Sequence, residues 1–84
     1  MHSWHLGITV VGRVIRVRPR MDGGWRVRLA DTGGALAAAE IRVSNPLALP
    51  QVGTRIALRG TLRYDKVHGW YAVDPVVGWL ELNG

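Results

Sequence analysis

The sequence contains no cysteine and no phenylalanine, and Lys66 is its only lysine. Without cysteine the chain has no disulfide, no thiolate metal ligand and no thiol nucleophile. It also lacks an apolar run close to the roughly 20 residues that a membrane-spanning helix needs. Residues 1–5 lack the basic segment of a signal peptide, and Gly12 and Arg13 interrupt the apolar run that follows. We therefore expect a cytoplasmic protein that does not enter a membrane.

Enzymatic motifs are equally scarce. The three histidines are scattered along the chain, whereas a zinc site normally needs three or four convergent ligands. There is no glycine-rich phosphate loop followed by Lys-Ser or Lys-Thr. Asp22, Asp31 and Glu40 could form a nuclease site, but turns and the solvent-facing side of a strand account for them more simply. We predict that the chain is not an enzyme and holds no metal or cofactor.

Positive charge is concentrated in the first third of the chain. The net charge of the 84 residues is +5. Residues 1–30 contain six arginines and one acid, whereas residues 31–84 contain five basic and five acidic side chains. Arginines that alternate with apolar residues form one face of an ordered element, and such a face can attract a polyanion. A solvated surface in a chain with ten arginines against one lysine explains the charge equally well.

Apolar residues alternate with polar ones at a period of two, which predicts β-strands. In residues 55–64 one face is formed by Ile56, Leu58, Gly60, Leu62 and Tyr64. Two shorter strands follow the same pattern. The dry face of the first is formed by Trp25, Val27 and Leu29. The dry face of the second is formed by Ala39, Ile41 and Val43, with Glu40 and Arg42 on its wet face. One dry and one wet face are typical of an antiparallel barrel or sandwich. Residues 35–40 also have strong helix propensity, but the β-branched residues that follow favour a strand.

The first strand is predicted to be long and bent. It runs from about Trp4 to Arg18, and its alternation slips near Val10 and Val11 and again at Val14 and Ile15. Turns are predicted at residues 20–24, 31–34 and 65–69, where glycines supply backbone freedom. A last strand begins at residue 70. The proline-bounded residues 44–51 are long enough for one helical turn.

These elements predict a single all-β domain over residues 1–84: a five-stranded OB-type Greek-key barrel with a short turn or helical turn between strands 3 and 4. Residues 50–60 and 69–73 resemble the fourth and fifth strands of many OB domains. Residues 12–19, 60–64, 74–75 and 78–84 resemble a functionally uncharacterised family of small bacterial OB-like proteins. That family has histidines before its Asp-Pro and in its third strand, where this chain has residues 71–73 and 42–44. No metal or catalytic role is therefore implied.

The strand arrangement predicts a face that binds nucleic acid. In an OB barrel the fourth strand pairs with the first and the first with the second, so outward arginines form a basic flank for a phosphate backbone. The fold usually binds its ligand across strands 2 and 3, between the loops that join strands 1–2 and 4–5. The facing of Arg13, Arg16 and Arg18 is open because of the bulges. The predicted contacts are Arg16, Arg18, Arg20, Arg26, Arg28, Arg55, Arg59, Arg63, Lys66, His68 and Tyr71.

Platforms on which bases could stack are limited to four tryptophans and two tyrosines. Trp25 and Tyr64 share faces with aliphatic residues, which predicts core or barrel-rim positions. Trp70 and Tyr71 are adjacent and must point in opposite directions, and we expect Tyr71 to be the exposed one. We predict binding of single-stranded DNA or RNA with little sequence preference. A sugar or peptide ligand stays open.

A protein-interaction or assembly subunit is the alternative function. Residues 76–82 are strongly apolar and could pair with a strand of a partner protein or of a second copy. They could equally close one end of the barrel through Trp79, Leu80 and Leu82.

Overall fold

Five strands form in the computed structural model, which describes residues 7–31, 33–34, 36–42 and 49–83. They close into a barrel in the order β1-β2-β3-β5-β4, in which β3 and β5 are parallel and the other pairs antiparallel. This is the all-β, OB-type arrangement that the sequence predicts. None of the described residues forms a helix long and apolar enough to cross a membrane. The strands are β1 (Gly7–Pro19), β2 (Trp25–Ala30), β3 (Leu36–Ile41), β4 (Arg55–Asp65) and β5 (Trp70–Glu81).

Strand β1 is long because it pairs with two neighbours. Residues 7–13 pair with β4, and residues 13–19 pair with β2. A bulge at Ile15 separates Val14, opposite Leu29, from Arg16, opposite Arg28. The irregularity expected there is confirmed. The slip expected near residues 10–11 was wrong, because pairing with β4 is regular from residue 7 to residue 13. The predicted start at residue 4 lies outside the described residues.

Aliphatic side chains from all five strands fill the barrel. The inward faces predicted for β2 and for the first half of β4 are confirmed, and Trp25 packs against the core from its edge. Residues 36–41 form a strand, as predicted, because pairing with β2 and β5 outweighs their helix propensity. Val43 and most of the proposed helical turn lie outside the described residues. The buried cluster consists of Val14, Val27, Leu29, Ala39, Ile41, Leu49, Ile56, Leu58 and Val73.

The hairpin formed by β4 and β5 extends past the barrel. Strand β3 pairs with β5 only at Ala38–Ala72 and Ala39–Val73, so the tip of the hairpin continues without β3 beside it. Leu62 and Tyr64 keep the predicted alternation but are exposed. A core position is therefore wrong for both residues, because the period of a strand does not show where its neighbour ends; the barrel-rim position was the alternative for Tyr64.

The turns and the C-terminal segment complete the barrel. Gly23, Gly34 and Gly69 have φ of 90°, 86° and 73°, which confirms the three predicted turns. Residues 76–81 are the second half of β5 and pair with the first half of β4. Trp79 packs against the core from this segment, whereas Leu80 points outwards.

Candidate nucleic-acid interface

The bulge at Ile15 places the arginines of β1 on one side of the sheet. Before the bulge, Arg13 stands between the buried residues Gly12 and Val14 and therefore points outwards. After it, Val17 packs against the core, so Arg16 and Arg18 point outwards as well. Strict alternation would have put Arg13 on the face opposite to the other two. The single extra residue thus joins three guanidinium groups on one surface.

Outward arginines of β2 and β4 flank those of β1. Arg13 is directly opposite Arg55, and Arg16 is directly opposite Arg28. Arg59 lies farther along β4, opposite Thr9. Within the described part of the chain, none of these arginines has a carboxylate oxygen within 4.0 Å. We call this surface the basic strip: Arg13, Arg16, Arg18, Arg28, Arg55 and Arg59.

The other predicted arginines are neutralised by carboxylates. Glu40 binds Arg26, with Nε 3.0 Å from Oε1, and Arg20, with Nη1 2.8 Å from Oε2. The second contact is an ion pair whose angle is not that of a hydrogen bond. Burial alone would lower the pKa of Arg20, but contact with the Glu40 carboxylate and its charge raise that pKa above its usual value. Arg63 lies 3.5 Å from Asp74.

Glu40 is not on a wet face, as the sequence suggested, but 5% exposed. It points outwards from β3, and the guanidinium groups of Arg20 and Arg26 lie against it. These arginines come from the β1–β2 turn and from β2, so the alternation of β3 could not indicate the burial. The outer side of β2 and β3 therefore contains a buried ion cluster.

A cleft of about 480 Å³ lies beside this cluster, between the β1–β2 turn, the end of β3 and the β4–β5 hairpin. Arg20 and Lys66, both predicted contacts, line it. Its four basic side chains face the three acids Glu40, Asp65 and Asp74, so the cleft is nearly neutral. In the described ranges no group of three His, Asp or Glu side chains is placed to hold a metal ion. The predicted contacts thus divide between a strip whose arginines form none of the ion pairs seen among the described residues and a nearly neutral cleft.

The turn of the hairpin holds an aromatic stack that sequence reasoning missed. Trp70 points to the outer face, where its ring is parallel to that of His68 at 4.7 Å between centroids. The guanidinium carbon of Arg28 lies 4.4 Å from the centre of the indole. Tyr71 is 61% exposed, as predicted, and its ring meets Tyr64 edge-on at 5.0 Å. The sequence indicated only that Trp70 and Tyr71 point in opposite directions. The side chains that contact Trp70 come from β2 and from the β4–β5 turn, so the sequence could not identify them.

Asp65 organises this turn, and its ionisation is expected to stabilise the fold. The hydrogen bond from His68 Nδ1, 2.7 Å from Oδ2, is the main cause that lowers the pKa of Asp65 below its usual value; the backbone N–H groups of Val67 and His68 add to it. A lowered carboxyl pKa stabilises the folded state above the unfolded pKa, about 3.9. The stabilisation is lost as pH falls through the folded pKa.

We therefore expect Asp65→Asn to lower the free energy of unfolding at pH 7. The difference from the wild type should shrink as pH falls below about 4, the unfolded pKa, and then through the lowered pKa of folded Asp65, where the wild-type carboxylate becomes protonated too. Urea denaturation at pH 7 and pH 3 measures both values. A difference that is the same at both pH values would mean that the charge of Asp65 has no part in holding the turn.

No protein-family model matches the chain, and no curated protein matches it. The specific resemblance to small bacterial OB-like proteins therefore has no support from a relative. The coarser likeness rests on the fold itself: five strands closed in the order β1-β2-β3-β5-β4 form a small barrel of the OB type.

Proposed function

We propose that the chain binds single-stranded nucleic acid, DNA or RNA, through the basic strip and with little sequence preference. The observation that supports this most is the placement of six outward arginines on three adjacent strands, with no carboxylate within 4.0 Å among the described residues. Guanidinium groups bind phosphate oxygens bidentately. Contacts to phosphates position a strand without reading its bases, which is why we expect little sequence preference.

The pairing of arginines across strands favours this function over a merely solvated surface. Like charges directly opposite each other destabilise a sheet, yet Arg13 faces Arg55 and Arg16 faces Arg28. The four arginines outside the strip all have a carboxylate within 4.0 Å. Three carboxylates, Glu40, Asp65 and Asp74, thus line the cleft, whereas Asp31 lies near one end of the strip, in a pocket that Arg13 and Arg55 also line. A bound phosphate backbone would supply the missing negative charge.

Fluorescence anisotropy with labelled oligo-dT and oligo-rU of about 15 nucleotides, at low salt, tests the proposal. The double variant Arg13→Gln, Arg55→Gln should weaken binding by about tenfold or more, because it removes two phosphate contacts. Arg42→Gln is the control, since this arginine lies outside the strip and pairs with Asp22 at 3.2 Å. It should change affinity by less than about threefold. No binding at low salt, or equal losses in both variants, would refute the proposal.

The same repulsion predicts a gain in stability. Arg16→Gln removes one of two opposed guanidinium groups and should raise the free energy of unfolding by about 0.2–1 kcal/mol at low salt. The gain should diminish at 1 M salt, because ions screen exposed charges. Thermal unfolding at the two salt concentrations measures both effects. A variant less stable than the wild type at low salt would show that Arg16 makes a stabilising contact instead.

Three further expectations from the sequence belong to this proposal. The chain is a binding protein and not an enzyme, and it needs no metal or cofactor. It acts in the cytoplasm. Among proteins with this fold, we expect it to be related to small bacterial OB-like proteins. That resemblance implies no activity.

An assembly subunit is the second candidate. Val77 is 73% and Leu80 58% exposed on the second half of β5. The edge of this segment away from β4 pairs with no other strand among the described residues. Light scattering over a range of concentrations tests it. A stable oligomer that Val77→Ser or Leu80→Ser dissociates would support an assembly subunit, and a monomer at all concentrations would count against self-association.

A further inference from the structure

We propose that the indole of Trp70 is a stacking site for one unpaired nucleobase, and that His68 occupies this site in the free protein. The inference rests on the proposed function and deepens it. The basic strip explains contact with phosphates only. Trp70 adds a place for a base beside them, and the turn residue His68 becomes a competitor for that place.

The geometry of the two rings carries the proposal. The imidazole of His68 and the indole of Trp70 are 6° from parallel, with 4.7 Å between their centroids. Aromatic rings in contact adopt such offset parallel stacks, and bases stack on tryptophan in the same way. The imidazole ring also corresponds in size and chemistry to the smaller ring of a purine. The hairpin turn therefore presents to Trp70 a group that resembles a base.

The site adjoins the basic strip. Arg28 belongs to the strip, and its guanidinium carbon is 4.4 Å from the centre of the Trp70 ring. A strand whose phosphates contact Arg28 would thus have a base within reach of the indole. The neighbouring Arg26 is 5.8 Å from the ring centre and touches His68, with Nη1 3.4 Å from Nε2.

Two polar groups at the site lack partners. Trp70 Nε1 and Arg28 Nε are both buried, and neither has a hydrogen-bond acceptor among the described residues. Buried donors without acceptors are uncommon because their desolvation is uncompensated. Carbonyl oxygens of a base and oxygens of the sugar-phosphate backbone are acceptors. With a base stacked on the face of the indole, the sugar-phosphate backbone of the same strand would bring oxygen acceptors to the edge of the ring and to Arg28.

His68 can leave without unfolding the turn. Its side chain is held by Asp65, at 2.7 Å from Nδ1, and by the longer contact to Arg26. The turn itself is held by other bonds, from the backbone N–H groups of Val67 and His68 to Asp65 and from that of Gly69 to the Asp65 carbonyl. Rotation of the His68 side chain breaks none of these backbone bonds. It would uncover the indole.

The experiment compares oligo-dT with a strand of the same length made of abasic sites, which offers phosphates without bases. His68→Ala should raise the affinity for oligo-dT several-fold and leave the affinity for the abasic strand unchanged. Trp70→Leu should lower the oligo-dT affinity by about tenfold, within the range measured for loss of base stacking, again without changing abasic binding. Val67→Ala, in the same turn, is the control and should alter neither. Binding of the abasic strand reports on the folded basic strip, so a Trp70→Leu protein that fails to fold would lose affinity for both strands. In that case Trp70→Phe replaces it, and we expect a smaller loss of affinity for oligo-dT alone.

The outcomes separate this inference from the proposed function. If the wild type binds both strands and neither His68→Ala nor the Trp70 variants change the ratio of the two affinities, the stacking site is refuted and the basic strip stands. If neither strand binds at low salt, the proposed function fails and the stacking site with it. Quenching of tryptophan fluorescence by oligo-dT that disappears in Trp70→Leu would support the site directly.

Discussion

Gly60→Ala is expected to destabilise the barrel by about 3 kcal/mol or more, at the upper end of what overpacking a core costs. Gly60 lies in β4 opposite Val76, and a Cβ atom there would overlap the carbonyl oxygen of Pro75 and the side chain of Val73. A backbone carbonyl cannot rotate away as a side chain can. Since small domains have only about 5–15 kcal/mol of stability, the loss would be a large part of the total. Urea denaturation followed by circular dichroism measures it.

Gly78→Ala is the matched control for this prediction. Gly78 lies in the paired strand β5, opposite Arg59, and a Cβ atom there meets nothing within 4 Å. Its φ is outside the left-handed region, so alanine introduces no strain there. We expect a change within about 0.5 kcal/mol, as for most surface substitutions. Equal effects of the two alanines would contradict the close approach of β4 and β5 at Gly60.

Glu40→Gln is expected to have opposite effects on stability and on binding. The carboxylate is buried between Arg20 and Arg26, whose own side chains are less than a third exposed. Breaking a fully buried ion pair costs about 3–5 kcal/mol; because the two guanidinium groups reach water in part, we expect a loss of about 2–3 kcal/mol. The variant also gains one positive charge beside the strip, so its affinity for single-stranded nucleic acid should rise.

Asp74→Asn is the control for Glu40→Gln. It removes the partner of Arg63, at 3.5 Å, whose side chain is largely exposed. Exposed pairs contribute about 0–1 kcal/mol, so the stability loss should be small although the change in net charge is the same. A Glu40→Gln protein as stable as the wild type would contradict the buried ion cluster. Denaturation and anisotropy on the same samples give both quantities.

Alternation of side chains was enough to predict the five strands, because it depends only on neighbours along the chain. The closed barrel was predicted from the number of strands, the long bent first strand and the connection after the third. The features that alternation did not predict depend on interactions between residues that are distant in the sequence. The bulge at Ile15 was visible as a slip, but its effect on Arg13 followed only from the pairing with β2. Tyr64 kept its alternation, yet its exposure depends on where β3 stops pairing with β5. Both features belong to the packing of strands, not to one strand.

The candidate site was predicted less completely than the fold. Arginines on β1, β2 and β4 were expected to lie together, and cross-strand register does bring Arg16 to Arg28. The sequence did not show that Glu40 forms ion pairs with Arg20 and Arg26 and neutralises them, since the three residues come from different elements. Arg13 was left unassigned for the same reason. Partners across strands can be named only once the register is known.

The salt dependence of binding tests the central claim, that the six arginines of the basic strip contact phosphates, most directly. Each phosphate neutralised on a single strand contributes about −0.7 to the slope of log affinity against log salt. Six contacts predict a slope of about −4 for oligo-dT, and Arg13→Gln with Arg55→Gln should bring it to about −3. A slope near zero, or a slope that the double variant leaves unchanged, would contradict the claim.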